Sequence, residues 1–204
     1  MALWLCGSVA LWLWLCGSVA LWLCGKFICM IITSIKPNIS RAEAVAKFCG
    51  RFNALRYGRP RIVTDFYIPY RFFRMTWSDG RSSNDAFIAA DAGEGKLDLI
   101  QFDRLPDEGD RTTVDTAMVA AERVNEEEAY RLVRESMVRS IFMKGFFKLR
   151  RASVEIELAT SLHIPYWVGV YERNDRAHLE IINALRGRFE GAKLREMVVE
   201  WFHQ

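Results

Sequence analysis

The chain has 204 residues and a formal net charge of +3, with 51% of its residues apolar and 26% charged. That length accommodates one ordinary domain or two small ones, and the composition excludes a disordered chain. So small a net charge does not demand a polyanionic partner.

The average hides an uneven distribution. Residues 2–25 carry no charged side chain, yet they include Cys6, Cys16 and Cys24 and the tryptophans Trp4, Trp12, Trp14 and Trp22. From Met30 onward there is a single cysteine, Cys49, which excludes an internal disulfide in that region. An apolar run of this length is enough to cross a bilayer as a helix. It lacks the basic start of a cleavable signal peptide. If inserted, it would leave Lys26, Lys36, Arg41 and Lys47 on its C-terminal side, which keeps the folded part in the cytoplasm. However, residues 3–10 recur letter for letter at 13–20, and 21–25 begin a third copy. Selection on a membrane helix preserves hydrophobicity rather than spelling, so tandem duplication of DNA upstream of a start at Met30 explains the repeat equally well. Residues 1–29 therefore read either as a transmembrane helix or as a start-site artefact. The folded region is expected to be membrane-anchored and cytoplasmic in the first case, and cytoplasmic in the second.

The first helix is expected to open at Ser40, which has capping-box spacing with Glu43. Val45, Phe48, Cys49, Phe52 and Leu55 follow at three- and four-residue intervals as one apolar stripe, until Gly58 and Pro60 stop the helix. Residues 62–77 read as strand, with Pro69 marking a bulge, a break or an edge. A turn at Asp79-Gly80 leads to a returning strand at 86–90, a second turn at 91–96 and strand-like alternation at 97–102. The polar stretch 103–113, with Pro106 and Gly109, reads as linker, and 114–124 as a short helix or an ordered connection.

The order then repeats. Asn125 and Glu128 form a second capping pair, and Ala129, Leu132, Val133, Ser136, Met137, Ser140 and Ile141 trace a helical face. Residues 153–158 alternate as a strand, 163–168 match 67–72, and Asn174-Asp175 makes a turn. Residues 178–182 return, and 183–189 match 91–97. Leu194, Met197, Val198 and Trp201 fall at helical spacing in a closing helix. Four landmarks in the same order predict an α+β protein of two tandem repeats, each a helix packed on an antiparallel sheet. The expected divisions are 1–29, a first repeat at 30–102, a linker at 103–124 and a second repeat at 125–204 that carries the C-terminal helix.

Ser40-Arg41-Ala42-Glu43-Ala44 with Asp91-Ala92-Gly93-Glu94-Gly95, and more loosely Asn125 to Ala129 with Asn183 to Gly187, resemble the landmarks of the PepSY family of small bacterial domains. In that family a capped helix precedes an antiparallel sheet whose last hairpin carries Asp-Ala-x-x-Gly. Each motif has a local physical reason. The first is a helix cap, and the second is a tight turn in which Asp or Asn bonds nearby N–H groups and Gly relieves the backbone. The resemblance implies a non-catalytic binding or regulatory module, of a kind found outside the cytoplasm or beside membranes.

No constellation reads as a catalytic centre, and neither a cofactor nor a metal is expected. His163, His178 and His203 lack companions at metal-ligand spacing. Cys49 reads as a buried small hydrophobe, and Asp91, whose counterpart is Asn183, as a turn cap rather than an acid. Tyr67, Tyr70, Phe72, Tyr166, Trp167 and Tyr171 crowd around the two Ile-Pro-Tyr segments, either as core or as a shared groove for a peptide or apolar ligand. Lys144, Lys148, Arg150 and Arg151, interleaved with Phe146 and Phe147, suit single-stranded nucleic acid or anionic lipid, and otherwise read as solvated charge. The expected function is non-enzymatic protein or peptide binding, membrane-associated if 2–25 inserts, with the basic patch as the alternative.

Overall fold

A computed structural model describes residues 29–78, 83–97, 99–143, 153–173 and 176–203. The expectations for 1–28, for the turns at Asp79-Gly80 and Asn174-Asp175, and for the basic run 144–151 lie outside the described residues. In chain order the elements are β1 (Met30–Ile35), α1 (Arg41–Phe48), α2 (Arg51–Tyr57), β2 (Ile62–Ser78), β3 (Ser83–Asp91), β4 (Ile100–Phe102), β5 (Arg111–Thr116), α3 (Glu126–Met143), β6 (Ser153–Arg173), β7 (Arg176–Asn183) and α4 (Ala192–Phe202). The fold is α+β, as expected. Its one mixed sheet has the order β4-β3-β2-β6-β1-β5, with β7 also paired to β6. β1 runs parallel to β6 and the other strand pairs are antiparallel. Among the described residues no helix is long and apolar enough to cross a membrane.

The predicted capping box is present: the Glu43 backbone N–H donates to Ser40 Oγ, and the Ser40 N–H donates to Glu43 Oε2 at 2.7 Å. The single helix expected from Ser40 to Leu55 is instead two, separated at Cys49-Gly50. Gly50 takes an extended conformation (φ −55°, ψ 152°) as the N-cap of α2. This resets the helical phase, so residues three and four apart across it no longer share a face. Ala44 and Phe48 are buried and Cys49 is half-buried, whereas Val45, Phe52 and Leu55 face solvent.

The predicted linker also holds structure. Asp107 and Asp110 form a reciprocal cap around a 3-10 turn at Glu108–Asp110, and β5 follows, paired with β1 from Met30↔Thr116 to Ile35↔Arg111. Residues 118–120 then run beside β2 in extended form, with the Tyr67 N–H donating to Met118 O and the Ala120 N–H to Tyr67 O, each at 2.9 Å.

β2 and β6 form the long central pair, from Ile62↔Val170 to Ser78↔Ser153. Pro69 and Pro165 neither break these strands nor lie on an edge. On its outer side, β2 passes from the 118–120 segment to β3 at Pro69, and β6 passes from β1 to β7 at Pro165. At such a change of partner no carbonyl is offered to the missing N–H, so a ring that cannot donate is tolerated mid-sheet. The carbonyls still work: Ala92 N–H donates to Pro69 O at 2.9 Å and Ala184 N–H to Pro165 O at 3.1 Å.

Strand alternation divides the core between the two faces of the sheet. One face carries Phe66, Ile68, Tyr70, Phe72, Ile164, Tyr166 and Val168 beneath α4. On the other face α1 lies over the β6–β7 end, with Phe48 against Tyr171 and Ile182, and α3 lies over β2–β3, with Ala129 and Val133 against Phe73 and Ala90. α1 and α3 therefore each cover the hairpin that belongs to the other half of the chain. The entries to the helices are fastened the same way. Asn38 and Ile39 N–H donate to Ala184 O, and Arg123 and Val124 N–H donate to Ala92 O.

Candidate functional site

The six aromatic residues expected around the Ile-Pro-Tyr segments do not line one groove. Tyr67, Tyr70, Phe72, Tyr166 and Tyr171 are buried, and Trp167 is half-buried with its Nε1–H donating to Ile39 O at 3.0 Å. Alternation sends Tyr70, Phe72 and Tyr166 to the α4 face and Trp167 and Tyr171 to the α1 face. The Tyr67 hydroxyl donates to Asp65 Oδ2 at 3.0 Å, and that of Tyr171 donates to Phe48 O at 2.8 Å. Burial pushes the Tyr171 phenol up to about 12 and that of Tyr67 well above its usual range.

Tyr70 and Tyr166 are brought together. They occupy the same place in the two Ile-Pro-Tyr segments, and their hydroxyl oxygens lie 3.0 Å apart. Burial is the main cause that pushes both phenols well above their usual range. They are neutral hydrogen-bonding groups at physiological pH. Two hydroxyls carry two hydrogens and the bond between them uses one. Among the described residues the other has no protein acceptor.

A cavity of about 370 Å³ opens beside this pair. Leu97, Leu99, Ile100 and Leu194 give it an apolar wall, and Arg186, Glu190 and Lys193 give it polar groups. Its remaining boundary is the start of α4 at Gly191 and Ala192, where the N-cap Gly191 offers no side-chain cap to the first-turn N–H groups. Trp201 fixes α4 over the sheet, packing edge-on against Phe66 at 5.1 Å with its Nε1–H donating to Val119 O at 2.9 Å.

The two turns beside the pair are built alike. Asp91 Oδ1 accepts the Gly93 N–H at 2.7 Å, and Asn183 Oδ1 accepts the Leu185 N–H at 3.0 Å. Gly95 and Gly187 take positive φ, at 68° and 65°. Burial raises the Asp91 carboxyl above its usual range even though backbone N–H groups favour the charged form. His163 is half-buried with Nδ1 3.1 Å from Thr33 O, His178 stacks on Tyr57 at 3.8 Å, and His203 is the C-cap of α4. Among the described residues no group of three His, Cys, Asp or Glu could hold a metal. Lys144, Lys148, Arg150 and Arg151 lie outside the described residues. Sequence reasoning missed the cavity because its walls come from four separated stretches, at 70, 97–100, 166 and 186–194. The legible signal was the start of the final helix at Ala192.

Comparison with protein-family models, with curated proteins and with solved structures finds no match to the chain.

Proposed function

We propose that the chain is a non-enzymatic binding module of two diverged, PepSY-like copies of one helix-and-hairpin unit, and that it holds a segment of another polypeptide in the cavity over Tyr70 and Tyr166. The observation that carries this reading is the cavity itself, lying where the two Ile-Pro-Tyr segments meet. An apolar wall with a few convergent polar groups is the usual character of a ligand site. The surplus phenolic hydrogen, the uncapped start of α4 and Arg186 favour an acceptor-bearing ligand such as a peptide chain.

Support for duplication comes from contacts made twice at matching positions. They are the Ala92–Pro69 and Ala184–Pro165 bonds, the helix entries on Ala184 and Ala92, and the donation to Ile39 O by Trp167 and to Val124 O by Arg71. The non-enzymatic reading rests on the same pairing, because the features in common are caps, turns and strand cores.

The test uses peptides selected from a random library on the full chain. Ala192 is exposed at the cavity wall, so Ala192→Trp fills the space without entering the core. It is expected to weaken the selected peptides at least about tenfold, or about 1.4 kcal/mol, with an unchanged circular dichroism spectrum. Glu127→Lys on the exposed start of α3 should leave binding intact. Equal affinity for wild type and Ala192→Trp would overturn the reading.

A further inference from the structure

α2 is the element that folding explains least. None of its residues is buried, and its two large apolar side chains, Phe52 and Leu55, are 90% and 81% exposed. Helical geometry places Arg51, Leu55, Phe52 and Arg56 in that order around one arc of about 140°, at about 100° per residue. Tyr57 falls on the opposite side, where its ring packs 5.5 Å from Tyr171 and 3.8 Å from His178. The helix is thus moored by its polar-aromatic side and presents two apolar side chains outward, with Arg51 at one margin and, at the other, Arg56, whose guanidinium lies over the Tyr57 ring at 5.0 Å.

The stretch of sequence that carries α2 is basic, while the acidic groups nearest in space, Glu172 and Glu180, are engaged by Arg61 and by His178 and Arg195. No acidic residue occurs between Glu43 and Asp65, whereas Lys47, Arg51, Arg56, Arg59 and Arg61 all do. Arg61 is bound to Glu172 at 3.0 Å, and Arg173 donates to the Leu55 and Arg56 carbonyls at the end of the helix. Arg51 and Arg59 have no carboxylate partner among the described residues.

We propose that α2 is a docking surface for an anionic lipid bilayer. Phe52 and Leu55 enter the boundary between headgroups and acyl chains, while the flanking arginines bind lipid phosphates. Two side chains on a seven-residue helix cover far less than the roughly 1,200–2,000 Å² of a stable protein interface, which favours a bilayer over a protein partner. The proposal is independent of the cavity over Tyr70 and Tyr166.

The experiment is peptide-resolved hydrogen exchange on the full chain, with vesicles of phosphatidylcholine alone or mixed with phosphatidylglycerol. Exchange of residues 51–57 should slow several-fold on the anionic vesicles, and the protection should be lost in high salt. It should also be lost in Phe52→Ser/Leu55→Ser and in Arg51→Ala/Arg56→Ala/Arg59→Ala. These positions are exposed, so the fold survives, and any attachment through 2–25 persists as an internal control of vesicle binding. Unchanged exchange at 51–57 on anionic vesicles overturns the proposal. So does protection that neutral vesicles give equally, or that appears only with an acidic polypeptide such as polyglutamate.

Discussion

At the scale of single residues, the pairing of Tyr70 with Tyr166 is a buried bond whose partners depend on each other. Removing one hydroxyl strands the other, so Tyr70→Phe or Tyr166→Phe alone should cost about 1–3 kcal/mol, whereas removing both should be close to neutral. Urea denaturation of the two singles and the double would reveal a coupling above about 0.5 kcal/mol, and additive losses would contradict the arrangement. His163 gives a second prediction. Burial, outweighing the Thr33 carbonyl and Glu122, lowers its pKa below the usual 6.5, so the unfolded chain binds its proton more readily. The stability this contributes is present above about pH 6.5 and lost as pH falls toward the lower folded value. Urea midpoints measured between neutral pH and pH 5 should fall for the wild type, and His163→Gln should remove that part of the slope.

At the scale of elements, α1 and α2 differ in how they are held. Phe48 is fully buried and lies so close to Gly169 that a Cβ there would meet its ring at 2.9 Å. Phe48→Ala is expected to cost about 3–5 kcal/mol, and Gly169→Ala about 1–3 kcal/mol by pushing the ring and α1 outward. Phe52→Ala, on a helix with nothing buried, should stay within about 0.5 kcal/mol of wild type. Thermal unfolding of the three variants checks the order. A loss at Phe52 as large as that at Phe48 would mean that α2 is packed rather than presented. The apolar spacing from Val45 to Leu55 suggested one continuous helix, but it could not register the break at Gly50. A period is informative only while the backbone that generates it is unbroken.

At the scale of the molecule, the halves are interlocked. β2 pairs along its length with β6, α1 sits on β6–β7, and α3 sits on β2–β3. Neither α1 nor α3 retains the hairpin it covers without the other half of the chain. The chain from Met30 onward is therefore expected to unfold in a single transition, with far-ultraviolet circular dichroism and tryptophan fluorescence coincident in urea. Gly169→Ala should move both probes together. Separate transitions for the two halves would contradict the interlocking.

What the sequence determined by itself was local chemistry: the Ser40–Glu43 cap, the Asn125 Oδ1 bond to the Glu128 N–H, the Asp91 and Asn183 turns with their glycines, and the strand alternation that makes the protein α+β. These depend on residues a few places apart, and their signals survive in a linear string. The tertiary structure decided which hairpin each helix covers, how Pro69 and Pro165 can lie within central strands, and which aromatic residues share a face. It also placed a strand in the stretch that read as linker and left Phe52 and Leu55 outside the core. Each of these depends on a partner far along the chain. A carbonyl from residue 118 or a strand at 153–173 must be in place before the environment of residue 69 exists.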